Sequence, residues 1–303
     1  MKKKSKSILV VGGTGFIGYS LIKSCLKKKL KVTCVSSKKP QFKKLFPKVN
    51  FIVCDIRNKK LLRKKLIKEF NYVINLAGYV DHSNKKETFS SHYFGCLNIS
   101  NMFLGKKIES FIQIGSGLEY GNNKSPHKES SLCRPKGTYA LAKYKASIHL
   151  QKLYKNKKFP CTILRLYQAY GPNQKFNRLI PMVIKSCLNN KNFACTSGNQ
   201  KRDFLYIDDL SNLIFKIFKT KKTRGKIINV GSGNPIKIKT LIETIKKISK
   251  GGNPLYGNIR MRKDETLNMY PNISRAKKLL KWSPKYSLPN GLKKTIKSYS
   301  EKL

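Results

Sequence analysis

The sequence predicts an α/β fold: a doubly wound parallel sheet with a smaller C-terminal lobe. Three observations carry that prediction. Short apolar runs alternate with amphipathic stretches from residue 7 to about 166, the rhythm of repeated strand–helix–strand units. The runs are continuous, as in Ile8-Leu9-Val10-Val11, which suits parallel strands covered on both faces. A chain of 303 residues, 40% hydrophobic, is also long enough to bury a sizeable core.

Taken in order, Ser7–Val11 reads as a strand and Phe16–Lys29 as a helix. Lys31–Ser36 and Asn50–Cys54 are strands, and a lysine-rich helix at Lys59–Phe70 leads to a strand at Tyr72–Leu76. A helix over Thr88–Phe103, a strand at Ser110–Ile114, a helix over Thr138–Tyr154 and a strand at Cys161–Leu166 follow. After Tyr170-Gly171-Pro172 the rhythm loosens. Helices are expected at Arg178–Leu188, Ile207–Lys219 and Ile238–Ser249, with strands at Phe193–Thr196 and Ile227–Val230. This divides the chain into a dinucleotide-binding domain, 1–171, and a mainly substrate-binding lobe, 172–303, with the strand near 227–230 returning to the sheet.

Charge narrows the partners less than its size suggests. Lys and Arg number 65 against 14 Asp and Glu, a formal +51. Only ten are Arg, and the basic residues run the length of the chain without one dense stripe. Readers of nucleic acid cluster their charge and favour Arg at bases, so no specific nucleic-acid partner is expected. Salt-sensitive adhesion to polyanions is. The eight cysteines form no C-x-x-C pair, hence no zinc or redox signature, and Cys34 and Cys54 fall in apolar runs read as central strands. A reducing, cytoplasmic location follows. Glycines break the apolar run after Lys2–Lys6, which argues against a secretory leader, and no run is long enough for membrane insertion.

Between the first strand and helix, Gly12, Gly15 and Gly18 stand at G-x-x-G-x-x-G spacing. Gly12 permits a tight turn, Gly15 lets backbone approach a pyrophosphate, and Gly18 lets the helix pack closely. The helix N-terminus offers unpaired N–H groups to the anion. An acid at the end of the second strand would hold the ribose of NAD; here stand Ser36, Ser37, Lys38 and Lys39. The missing carboxylate favours NADP(H), with NAD(H) as the alternative. Asp55 is read either as an acceptor for the adenine amino group or as a turn or helix cap.

Tyr139 and Lys143 lie one helical turn apart on one face. The same pair recurs at Tyr19/Lys23, Tyr120/Lys124 and Tyr154/Lys158, so context must choose. Only Tyr139 opens a helix 23 residues after Ser116, which follows a strand at its carboxyl end. Hydride addition to a ketone creates an alkoxide that needs a proton. A tyrosine supplies it if an ammonium and a charged nicotinamide pull its pKa from about 10 towards neutral. Such a group is worth about 10²–10⁴ in rate. Ser116 would orient the carbonyl, and Lys143 would also hold the nicotinamide ribose.

Taken with Asn75-Leu76-Ala77-Gly78, Gly115–Gly121, Arg165-Leu166-Tyr167, Lys201-Arg202-Asp203-Phe204 and Leu280–Pro284, the glycine turn and Tyr139…Lys143 resemble the extended short-chain dehydrogenase/reductases. The branch is that of the NAD(P)-dependent nucleotide-sugar epimerases, dehydratases and reductases, and the likeness runs from residue 7 to about 298. It implies a Rossmann-type sheet and a cytoplasmic homodimer built on helices near 88–103 and 138–154. It also implies a cofactor site of Gly12, Thr14, Gly15, Phe16, Ile17, Gly18, Ser36, Ser37, Lys38, Asp55, Ile56, Leu76, Ala77, Gly78, Tyr139 and Lys143. By the same resemblance Ser116, Arg202 and Arg262 bind the nucleotide-diphosphate sugar, the guanidinium groups on the diphosphate. The alternative for Arg202 is a structural ion pair. Trp282-Ser283-Pro284 is read as a turn and packing anchor.

Departures from that pattern choose the reaction. Dehydratases of this kind carry Asp-Glu after the catalytic hydroxyl; Gly117 and Leu118 stand there and transfer no protons. His92 occupies a position where many members have Asn. His82, His127 and His149 are given surface or core roles. The expected reaction is reduction of a 4-keto-6-deoxy sugar nucleotide for surface-polysaccharide biosynthesis. Nucleotide-sugar 4-epimerisation is the second reading, and a non-catalytic cofactor-binding protein with a polyanion-binding surface the third.

Overall fold

In this computed structural model of the chain, residues 5–41, 43–79, 81, 83–262 and 265–301 are described. His82 therefore lies outside the described residues. Seven parallel strands form the central sheet: β1 (Ser7–Val11), β2 (Lys31–Ser36), β3 (Asn50–Val53), β4 (Tyr72–Asn75), β5 (Ser110–Ser116), β6 (Cys161–Leu166) and, far along the chain, Lys226–Val230. With three short strands intervening at β7 (Gln168–Tyr170), β8 (Asn192–Cys195) and β9 (Lys201–Arg202), and β10 at Phe204–Tyr206, the last is β11. The order across the sheet is β11-β6-β5-β4-β1-β2-β3. The chain reverses direction across the sheet between β1 and β4, and ligands of such sheets bind beyond the strand ends at that point.

Helices cover both faces, which is why the central strands are apolar without alternation. On one face lie α1 (Phe16–Lys27) and, from later in the chain, Ile207–Phe218; on the other lie α2 (Lys59–Lys65) and the helices between β4 and β6. Those are α3 (Lys85–Phe89), a widened π turn at Ser90–Phe94, α4 (Gly95–Phe103) and α5 (Gly137–Lys157). The single helix expected over Thr88–Phe103 is thus interrupted by the π turn. The expected Lys59–Phe70 helix stops at Lys65, because Leu66 leaves helical geometry at φ −106° and ψ 67°, yet Leu66 and Phe70 remain in the core. Asn50–Val53 is the sheet's edge, so Cys54 does not sit in a central strand; it follows the edge strand and is buried beneath α2.

The lobe after β7 is built from small sheets and helices. It contains α6 (Leu179–Leu188), α7 (Ile207–Phe218), α8 (Ile238–Ser249), α9 (Ser274–Leu280) and α10 (Leu288–Ser300). β12 (Ile236–Lys237), β13 (Asn253–Tyr256) and β14 (Asn268–Met269) complete it. β10 pairs with β7, β13 with β8, and β9 lies between β12 and β14. Trp282 is 2% exposed and joins the core that α7, α8 and α10 share with the sheet, the anchoring role its turn suggested.

Candidate active site

The glycine turn closes as its spacing requires. Gly12 has φ +79°, donates to the Val35 carbonyl at 2.7 Å, and would drive a Cβ to 2.7 Å from Ala77. A Cβ on Gly18 would fall 2.4 Å from Gly13, so helix and turn touch backbone to backbone. Gly15 caps α1 with no side-chain hydrogen bond, and no acid stands in the first turn. The first turn of α1, from Phe16 and Ile17 beside Thr14, thus meets no capping side chain and no acid, a helix N-terminus that fits a dinucleotide pyrophosphate.

At the end of β2, Ser36 is buried and its hydroxyl donates to the Lys38 carbonyl at 2.6 Å, shaping the turn; Ser37 and Lys38 are exposed. Asp55, followed by buried Ile56, is held by Arg57. Its two oxygens accept from the Arg57 guanidinium at 2.6–3.1 Å, and its Oδ1 also takes the Arg57 backbone N–H at 2.9 Å. That guanidinium holds the Asp55 carboxyl below the usual carboxylate range. The turn role is therefore present, and an adenine amino group would have to share oxygens with Arg57.

Ser116 ends β5 and caps the short 3₁₀ turn Gly117–Tyr120, its oxygen accepting from Leu118 N–H at 3.2 Å. Tyr139 stands in the first turn of α5, half-buried and hydrogen-bonded to Ser116. Ala140, Ala142 and Ala146 are fully or almost fully buried, small enough to let α5 approach the sheet closely. Lys143, one turn on, donates to the Ile114 carbonyl at 2.7 Å, with its Nζ 5.8 Å from the centre of the Tyr139 ring. A line of contacts joins this set to the glycine turn. Gly12 abuts Ala77, next to Leu76 and Gly78; Gly78 abuts His92; and His92 meets Tyr139.

The chain's own groups do not by themselves supply the acidification expected of the phenol. Burial pushes the Tyr139 pKa up, and the Ser116 hydrogen bond and Arg178 charge only partly oppose it. Burial also pulls Lys143 down to about 8. A half-buried phenol has lost more hydration than its charged neighbours restore, so the chain's own groups keep it protonated.

Beneath Ser116 lies a group that sequence reasoning missed. Glu119 is fully buried; its Oε1 accepts from Ser116 N–H, and its Oε2 from Ser147 Oγ and Arg165 Nε, each at 2.9 Å. Arg165 is 2% exposed and lies 4.4 Å from the centre of the Tyr120 ring. Tyr120 donates to Asn229 at 2.7 Å, and His127, fully buried, bonds Tyr167 at 2.7 Å. The scarcity of Glu and Arg in a lysine-rich chain was the available signal, since both stand in motifs that carried the resemblance.

Arg202 and Arg262 are not brought to Tyr139's contacts. Arg202 bonds the Lys201 and Leu267 carbonyls and pairs with Glu265 at 2.7 Å. The ion pair weighed for it thus exists, with Glu265 and not with Asp203, which accepts instead from Ser232 and Gly233 N–H. Arg202 lines a cavity of about 310 Å³ with Gln168, Leu179, Met182, Thr196, Gln200 and Glu265. Arg262 is exposed, and its carbonyl accepts from Glu265 N–H. Arg178, exposed at the N-cap position of α6 with no side-chain cap bond, carries a charge that lowers the Tyr139 pKa. A hollow of about 370 Å³ between Ser232, Asn234 and Ser283–Leu288 holds none of the catalytic residues. Among the described residues no helix is long and apolar enough to cross a membrane.

Residues 8–231 match the model of the NAD dependent epimerase/dehydratase family. The chain is 27% identical to a CDP-abequose synthase of Salmonella muenchen, over 96% of this chain and 97% of that one. It is 26% identical to a dTDP-4-dehydro-6-deoxyglucose reductase of Escherichia coli, over 98% and 99%. Its structure overlays that of a UDP-glucuronic acid 4-epimerase from Bacillus cereus, in complex with UDP-glucuronic acid and NAD. The TM-score is 0.85, the identity 26%, and the coverage 98% of this chain and 100% of the other.

Proposed function

The chain belongs to the NAD dependent epimerase/dehydratase family, and from that membership we propose that it reduces the 4-keto group of a nucleotide-activated 6-deoxy sugar, with NADPH as the consumed donor. The reading is carried by one observation: Ser116 and Tyr139, hydrogen-bonded to each other, stand beside the loop that abuts the glycine turn. The cradle of Gly12, Thr14, Gly15, Phe16, Ile17 and Gly18 would hold the pyrophosphate, with Leu76, Ala77 and Gly78 beside it. Ser37 and Lys38 would receive a 2′-phosphate; Asp55 and Ile56 would border the adenine end.

When bound, the dinucleotide supplies the two reducing equivalents. The phenol of Tyr139 gives its proton to the ketone oxygen as that oxygen becomes an alkoxide. Ser116 aligns the same oxygen. Lys143 keeps one hydrogen on the Ile114 carbonyl, and its ammonium would hold the nicotinamide ribose with the hydrogens that remain. The missing carboxylate at the end of β2, where Ser36, Ser37 and Lys38 stand, suits a consumed NADPH better than a retained NAD and so favours reduction over epimerisation. Elimination is disfavoured: Gly117 and Leu118 carry no acid, and Glu119 is committed to Arg165, Ser147 and Ser116.

Exposed Phe94 and Leu141 on the helices either side of β5 support a homodimer. The eight cysteines, all free, support a reducing cytoplasm. The deciding experiment supplies a 4-keto-6-deoxy nucleotide sugar with NADPH, then with NADH. Steady loss of reduced-nicotinamide absorbance that Tyr139→Phe lowers by about 10²–10⁴ is expected. Turnover without net change of cofactor replaces reduction by 4-epimerisation. Undiminished biological activity in Tyr139→Phe would sink both.

A further inference from the structure

Proton donation from Tyr139 leaves His92 without a role, although it touches the reacting tyrosine. Its imidazole is 6% exposed and meets the Tyr139 ring edge to face, with centroids 4.9 Å apart and planes at 85°. Nε2 lies 3.1 Å from the Tyr79 carbonyl, and because a carbonyl only accepts, Nε2 carries the hydrogen. On the other side a Cβ at Gly78 would fall 1.7 Å from Cε1 and 2.1 Å from Nδ1, so the ring fits only because residue 78 is glycine. The imidazole is therefore clamped between the loop after β4 and the phenol. A π turn presents it, a helical irregularity often found at functional sites.

We propose that His92 is a positioning residue that couples the loop after β4, on the cofactor side, to Tyr139 and sets the phenol's direction against the substrate carbonyl. The proposal rests on the reading above, since a direction matters only if Tyr139 transfers a proton. A shorter amide at this position would lack the ring that meets Tyr139. The imidazole also keeps water from the phenol. The remaining groups that act on the phenol lie outside a substitution here: Ser116 at the end of β5, Glu119 in the turn after it, Lys143 on α5 and Arg178 at the start of α6.

The test measures kcat, KM and the pH profile for the wild type and His92→Ala, His92→Phe and His92→Asn, with cofactor binding followed by fluorescence. His92→Ala is expected to lose about tenfold to a hundredfold in kcat, the scale of a misdirected reacting group, with KM for the nucleotide sugar little changed. Its phenol limb should move to lower pH as water reaches Tyr139, and added imidazole should restore part of kcat. His92→Phe, which keeps the ring contact, should retain more kcat than His92→Asn, which keeps only a hydrogen-bond donor. An unchanged kcat, or a loss with no shift of the limb and no rescue, overturns the proposal. If the alanine variant does not fold, equal kcat in the Phe and Asn variants overturns it. A wild type that binds the dinucleotide but converts no nucleotide sugar overturns the function itself before any change at His92, and this proposal falls with it.

Discussion

Arg165 and Arg202 each face a carboxylate, yet the two pairs sit in different kinds of place. Arg165 and Glu119 are 2% and 0% exposed, and Glu119's oxygens serve Arg165, Ser147 and the Ser116 backbone together. Arg202 is 9% exposed and its partner Glu265 27%, at the wall of a cavity whose Gln200 Oε1 is buried with no hydrogen-bond partner. The first pair is closed: every charge has a partner inside the protein, and the product is a fixed Ser116. The second is exchangeable. A phosphate reaching this cavity would bring the charge that Glu265 now supplies, and Glu265, 27% exposed, would have solvent to retreat to. The sealed pair serves as frame, and the partly solvated one is the candidate for exchange with a ligand's charge.

That contrast is most exposed by removing one carboxylate from each pair. Glu119→Gln leaves Arg165 charged and buried without compensation, a cost of about 3–5 kcal/mol in unfolding experiments. Replacing both partners, as Glu119→Gln with Arg165→Met, should recover most of that loss, since the charge to be compensated is gone. Glu265→Gln should cost under about 1 kcal/mol, because Arg202 keeps two carbonyls and the carboxylate is partly solvated. Equal losses at the two sites would end the distinction.

Lys143 tests the closed region from another side. Its pKa drops from 10.5 unfolded to about 8 folded. Below about pH 8 the lysine is charged in both states and the burial cost is fully present. Between about 8 and 10.5 the unfolded chain keeps a proton that the fold has released, so stability rises with pH by about 3 kcal/mol. Denaturant unfolding of Lys143→Met across that window should lack this rise. Parallel curves for variant and wild type would show the lysine to be hydrated in the fold.

The difference between the two regions also governs what was legible in the sequence. Strands buried on both faces are continuous apolar runs, so β1, β2, β4 and β6 stood out nearly to the residue. Ser116, Tyr139 and Lys143 were legible because a strand end and a helix start frame them locally. Glu119 was not, since its meaning depends on Arg165, 46 residues away across the sheet. The lobe was harder still. β7, β9, β10, β12 and β14 are two or three residues long, too short for any period to register. In α10 the buried face is Gly291, Leu292, Thr295, Ile296 and Tyr299, where glycine and threonine dilute the apolar repeat. The ion pair weighed for Arg202 is present, but its carboxylate lies 63 residues on, beyond what spacing reveals.

Arg202→Ala should weaken binding of a nucleoside diphosphate by about tenfold to a hundredfold in titration calorimetry, the worth of charge-assisted bonds to phosphate, with kcat nearly unchanged. The smallest effect is the sharpest on exchangeability. Glu265 now competes for the same guanidinium, and with its carboxylate 27% exposed beside a mostly buried Arg202 the pair holds about 1 kcal/mol. Glu265→Gln should therefore tighten nucleoside diphosphate binding by up to about fivefold, and the gain should shrink with added salt, which screens the wild-type pair. Were the variant instead to bind more weakly, Glu265 would be orienting Arg202 for the phosphate and not yielding to it. The second pair would then belong to the frame as the first does.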